Sequence, residues 1–156
     1  MDDVNGFYVG WNCSRPGTDR RRFVEATDKM NQVFAIVRKA QDAALAAAKP
    51  GVPLESIDAA ARDVITAAGY GPSFKYFTHR LGHGLGMDGH EWPYLVKNNM
   101  FGWARSLRAQ PGMTFSDEPG IYIPGAFGVR LEDDMVITAD GARLLTPQSE
   151  SLETPF

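Results

Sequence analysis

His79-Arg80-Leu81-Gly82-His83-Gly84-Leu85-Gly86-Met87-Asp88-Gly89-His90-Glu91-Trp92-Pro93 contains all 3 histidines of this 156-residue chain. Structural histidines scattered through a fold have no reason to bunch in this way. Gly82, Gly84, Gly86 and Gly89 lie among them, and glycine lets a backbone turn sharply or approach another group closely. The stretch therefore reads as a loop or strand end that builds a site.

Downstream the pattern is β. Met113-Thr114-Phe115 leads into Glu118-Pro119-Gly120 and then Ile121-Tyr122-Ile123. Pro124-Gly125 and Asp140-Gly141 are turn signals, the second before Arg143-Leu144-Leu145. Residues 128–137 are predicted as one strand, which puts Arg130 and Glu132 on one face and Val129 and Leu131 on the other. Upstream the pattern is helical. Thr27 can cap a helix whose buried face is Val33, Phe34, Val37, Ala40, Gln41, Ala44 and Leu45, and Pro50-Gly51 stops it. A second helix is predicted from Leu54 to Ala68, with Ile57, Ala61, Val64, Ile65 and Ala68 inward and Gly69 just past its end. Two helices followed by an antiparallel meander make an α+β fold, because no strict βαβ alternation is present.

The chain has the size of one domain, and its 44 % hydrophobic and 22 % charged residues suit a globule. A net charge of -3 gives no basic surplus for nucleic acid, and Arg15 with Arg20-Arg21-Arg22 reads as a solvated loop. Cys13 is the only cysteine, so no intrachain disulfide forms. No apolar run approaches the roughly 18 residues a membrane span needs, and the acidic first residues do not read as a signal peptide. A cytoplasmic location is the expectation. Residues 1–26 form a divergent segment, mostly loop with a short strand at Phe7–Trp11, and the domain proper runs over 27–156.

An arginine and a glutamate on one strand face ordinarily make a surface pair of little value. Beside a histidine cluster and Glu118, they point to hydrolytic metal chemistry. Carboxylates suit hard divalent ions such as Mn²⁺, and an imidazole also admits Zn²⁺, Co²⁺ or Fe²⁺.

The histidine stretch resembles the signature of the creatinase/aminopeptidase P family of pita-bread metallopeptidases. Glu118-Pro119-Gly120-Ile121-Tyr122 and Gly128-Val129-Arg130-Leu131-Glu132-Asp133 resemble its next two blocks, in the same order. The resemblance covers about residues 27–156 and implies an incomplete pita-bread fold, with two helices on a mainly antiparallel sheet. It implies His83, Glu118 and Glu132 as metal ligands, Glu132 bridging two ions. It also implies that His90 contacts the substrate carbonyl and that His79 lines the pocket. Arg130 would orient ligands and bind the substrate's polar end, and Glu118 would double as proton shuttle. Glu91 reads as a loop anchor. Trp92, Trp103 and Tyr122 are candidates for a proline pocket or for plain core. His79 and the Arg-x-Glu pairing favour the Xaa-Pro branch, whose peptide substrates carry proline in second position.

The family's two-ion site also uses two aspartates ahead of the first helix, about eleven positions apart. No such pair stands here: Asp2, Asp3 and Asp19 lack the spacing, and Asn12 takes the place of one in a similar stretch. The expectation is at most one weakly held ion per chain. A sheet short of its other layers is expected to dimerise. Two functions stay open at this point. One is an Xaa-Pro aminopeptidase or dipeptidase activity that the missing carboxylates would impair; the other is an inactive pita-bread module or fragment acting through protein binding.

Overall fold

A computed structural model describes residues 26–97 and 107–153. Helix α1 spans Asp28–Ala47, and its N-cap Thr27 accepts a hydrogen bond on Oγ1 from the Met30 N–H at 3.2 Å. Helix α2 spans Leu54–Ile65. Among the described residues seven strands follow: β1 (Gly82–Gly84), β2 (Glu91–Leu95), β3 (Thr114–Asp117), β4 (Gly120–Ile123), β5 (Phe127–Arg130), β6 (Asp133–Ile137) and β7 (Ala142–Leu144).

The helix stripes close as expected. Val33, Val37, Ala40, Gln41 and Ala44 of α1 are buried, as are Ile57, Ala61 and Ile65 of α2. The apolar ones share one core with Phe115, Met135 and Ile137 from the sheet. The α-helix of α2 ends at Ile65 rather than Ala68; a π-helical turn, Thr66–Tyr70, carries Ala68 to the exposed side. Gly69 takes φ +90° there, a conformation with a steric cost for any side chain.

The meander is not what forms. The main sheet has the order β2-β1-β3-β6-β7, and β4 with β5 makes a separate hairpin. The single strand predicted over 128–137 is two: β5 pairs with β4, while β6 pairs with β3. Leu131, almost fully buried, sits where the chain crosses between sheets, and its N–H donates to the Pro119 carbonyl at 3.3 Å. Turn and alternation signals give strand content but not partners, and burial of Leu131 is won by changing sheets. All the ladders are antiparallel. Among the described residues, no helix is long and apolar enough to cross a membrane. Residues 1–25, 98–106 and 154–156 lie outside the described residues, and with them the strand expected at Phe7–Trp11 and the residues Cys13, Arg15, Asp19, Arg20 and Trp103.

Candidate metal centre

β1 and β3 lie side by side in the main sheet, joined at Gly84 and Phe115. β1 carries His83, and Glu118 follows β3 directly. The Glu118 N–H donates to the Leu81 carbonyl at 2.8 Å, which holds the residue after β3 against the residue before β1. Glu132 arrives from the link between β5 and β6. One donor atom each from His83, Glu118 and Glu132 falls within 4.8 Å of the others. His83 and Glu118 are buried and Glu132 is half-buried.

The tautomer of His83 follows from its partner. Nδ1 lies 2.9 Å from the Gly84 carbonyl, which can only accept, so Nδ1 carries the proton. With Nδ1 so engaged, Nε2 is the ring nitrogen that faces Glu118 Oε1, 3.5 Å away, and in the neutral ring it would offer a lone pair there. A lone pair, a carboxylate and a second carboxylate facing one another are the donor set of a divalent cation. The residues present therefore fit a metal ion. Ser116 ties the group together: its Oγ accepts from the His83 N–H at 3.0 Å and donates to Glu118 Oε1 at 3.2 Å. Arg130 sits astride the two glutamates, 3.6 Å from Glu118 and 3.2 Å from Glu132.

The other expected residues are placed around this group. His90 is exposed, with its ring edge-on to His83 at 4.7 Å between centroids. His79 stands apart from the donor group. Its Nδ1 donates to the Arg80 carbonyl at 2.7 Å, and Nε2 accepts from the Tyr122 hydroxyl at 2.9 Å. Burial lowers His79 from 6.5 to about 4, helped by the nearby guanidinium of Arg130, so it is neutral at pH 7. Glu91 Oε1 accepts from the backbone N–H groups of Met87 and Asp88, at 2.5 and 3.1 Å, and so holds the loop that leads to His90. Tyr122 faces the site through His79, whereas Trp92 is 41 % exposed.

Some residues of this site went unread in the sequence. Ser116 had no signal beyond its place beside Glu118. Asp58 and Arg62 are buried on α2 at a spacing of four, a pairing that the apolar stripe of the helix does not include. Asp117 is fully buried, and among the described residues neither carboxyl oxygen has a hydrogen-bond partner.

Burial is the first cause that raises Glu118, Glu132, Asp133 and Asp134, and it raises Asp117 well above the usual carboxylate range. A carboxyl raised in the folded state binds its proton more tightly there than in the unfolded chain. Its stability contribution is complete below the unfolded value near 4 and is lost as pH rises through the folded value. His79 and His90, lowered by burial, oppose this trend only below about pH 6.5. In EDTA the melting temperature is therefore expected to fall as pH rises through the folded values of these carboxyls. Stabilisation by added Mn²⁺ is expected to grow over the same range, because ligands bind deprotonated. Thermal unfolding followed by circular dichroism checks both; a melting temperature that climbs with pH in EDTA would contradict the first.

The chain matches Metallopeptidase family M24 over residues 17–139. It is 48% identical over 127 residues to the Xaa-Pro dipeptidase of Lactobacillus helveticus, across 81% of this chain and 32% of that protein. Among solved structures, dipeptidase PepE from Mycobacterium ulcerans superposes with a TM-score of 0.72 at 41% identity, over 82% of this chain and 32% of that one. The prolidase from Pyrococcus furiosus gives 0.70 at 40% identity, over 80% and 34%. The chain spans about a third of the length of these relatives.

Proposed function

The chain belongs to metallopeptidase family M24 and carries part of the pita-bread fold, and from this premise we propose that it supplies the metal-binding part of an Xaa-Pro dipeptidase or aminopeptidase. The observation that carries the reading is the convergence of His83, Glu118 and Glu132 within 4.8 Å, with Arg130 across both glutamates. These three side chains would hold a divalent cation, Mn²⁺ first and Zn²⁺, Co²⁺ or Fe²⁺ as alternatives. Such an ion supplies polarisation of the scissile carbonyl and activation of a water nucleophile.

The chain's own residues do the rest. Arg130 keeps Glu118 and Glu132 apart in angle and together in space, and offers its cation to the polar end of a peptide. His90, exposed beside His83, donates to the oxygen that gains charge. Glu118, its carboxyl raised by burial, takes up and returns the proton. His79 and Tyr122 line the pocket for the proline of an Xaa-Pro substrate. We read the chain as cytoplasmic, and as a homodimer, the latter because β2 and β7 are the edge strands of the main sheet among the described residues.

The number of protein ligands favours a second reading. The described residues bring three ligands together where the family uses five, which suits a binding module with a weak site. Metal content after incubation with Mn²⁺ and desalting, with hydrolysis of Xaa-Pro dipeptides assayed alongside, separates the two. A single weakly held ion per chain, with proline-specific cleavage, is the expected result. A folded protein that holds no metal and cleaves nothing would overturn the peptidase reading and leave the module.

A further inference from the structure

Asp58 and Arg62 lie one turn apart on α2, both buried, with Arg62 Nε 2.6 Å from Asp58 Oδ2. Taking two charges out of water is costly, and a well-packed apolar pair would hold a helix in place as well or better. Their placement is explained by what else they bind. Arg62 donates through one terminal nitrogen to the Phe77 carbonyl at 2.8 Å and through the other to the His79 carbonyl. Asp58 Oδ1 accepts from the Leu81 N–H at 3.0 Å. Residues 77, 79 and 81 are alternate positions of a segment that belongs to no strand. The rings of Phe74 and Phe77 cover the guanidinium at 3.9 and 4.2 Å.

We infer that the Asp58–Arg62 pair is a positioning device that stands in for a neighbouring strand and sets the register of residues 77–81. That register matters twice. The segment carries His79 and runs two residues on into His83. Its Leu81 carbonyl also receives the Glu118 N–H. Helix α2 therefore fixes His79, His83 and Glu118 relative to one another without touching a ligand. Arginine suits the place because its planar fork makes four donor contacts from three separated nitrogens, to two carbonyls and both carboxylate oxygens, whereas an ammonium has three donors on one nitrogen.

The consequence for metal rests on the metallopeptidase reading; the consequence for His79 does not. The test is ¹⁵N NMR of the imidazoles at pH 7 in the full chain, with Mn²⁺ affinity measured by calorimetry on the same samples. Arg62→Lys is compared with the parent and with Asp63→Asn, a change at an exposed position on the same helix. The parent and Asp63→Asn should show His79 as a single Nδ1-protonated tautomer. Arg62→Lys should show averaged tautomers and a Mn²⁺ affinity lowered about 10-fold or more, the usual cost of losing a group that orients ligands. If Arg62→Lys does not fold, Asp58→Asn decides on the same signals, since it keeps an acceptor for Leu81 and loses the charge that holds Arg62. A folded variant with His79 signals identical to the parent overturns the inference. A parent that binds no Mn²⁺ overturns the metal reading alone, because the His79 signals still decide the positioning role.

Discussion

Glu118→Gln is expected to lower Mn²⁺ affinity by about 100-fold or more while the metal-free chain melts at or above the parent temperature. Removing a group that merely orients a ligand typically costs about 10- to 100-fold in affinity, and loss of a ligand itself should exceed that range. The opposite sign for the metal-free chain comes from burial. Glu118 is 6 % exposed, and burial raises its carboxyl, so the folded chain prefers the neutral form. Glutamine is neutral, can still accept from the Ser116 hydroxyl, and leaves Arg130 paired with Glu132 at 3.2 Å. It also removes one of two like charges, since Glu118 is among the causes that raise Glu132. Calorimetric titration with Mn²⁺ and thermal unfolding in EDTA measure the two arms. A variant that keeps the parent affinity within a few-fold would remove Glu118 from the ligand set.

Gly82→Ala is expected to destabilise the fold by about 3 kcal/mol, the upper part of the usual range for overpacking. A Cβ at Gly82 would stand 1.9 Å from the Ser116 carbonyl oxygen, which is backbone on the adjacent strand and cannot swing aside. β1 would have to leave β3, and the step from His83 to Glu118 would widen with it. Gly89→Ala, in the same glycine-rich stretch, meets nothing within 4 Å and should change stability by no more than about 0.5 kcal/mol. Urea unfolding of the pair, with Mn²⁺ affinity on the folded fraction, gives the comparison. Equal midpoints for the two variants would show that the strands are not held as close as described. Gly86 has a different need: a Cβ there would fall on the Glu91 carboxylate at 2.3 Å, the group that holds the loop ahead of His90.

The helices were legible because a stripe with a period near 3.6, a threonine cap and a terminal glycine are local facts. So was the strand content between Met113 and Leu144, from alternation and turn residues. The partners of those strands were not legible. Residues 128–137 look continuous, yet β5 and β6 belong to different sheets, and nothing within ten residues announces that β3 will pair with β6. The same limit applies to the site. His83, Glu118 and Glu132 stood out as types in motif positions, but Ser116, Asp58 and Arg62 are ordinary residues whose role lies in where their hydrogen bonds end. Gln41 shows it too: read as one residue of a helix face, it is fully buried and donates to the Asp117 carbonyl at 3.0 Å.

Family, donor types and the glycines that let a histidine segment lie close to its neighbours are legible in the residues alone. They are so because side-chain chemistry and local backbone freedom travel with each residue. Only the tertiary structure decided that three donors from separate segments meet within 4.8 Å, that Arg130 spans the two glutamates, and that α2 holds the histidine segment through a buried ion pair. Those facts depend on burial and strand pairing across long stretches of chain. The free energy of a buried charge is set by what surrounds it in space, not by what precedes it in sequence.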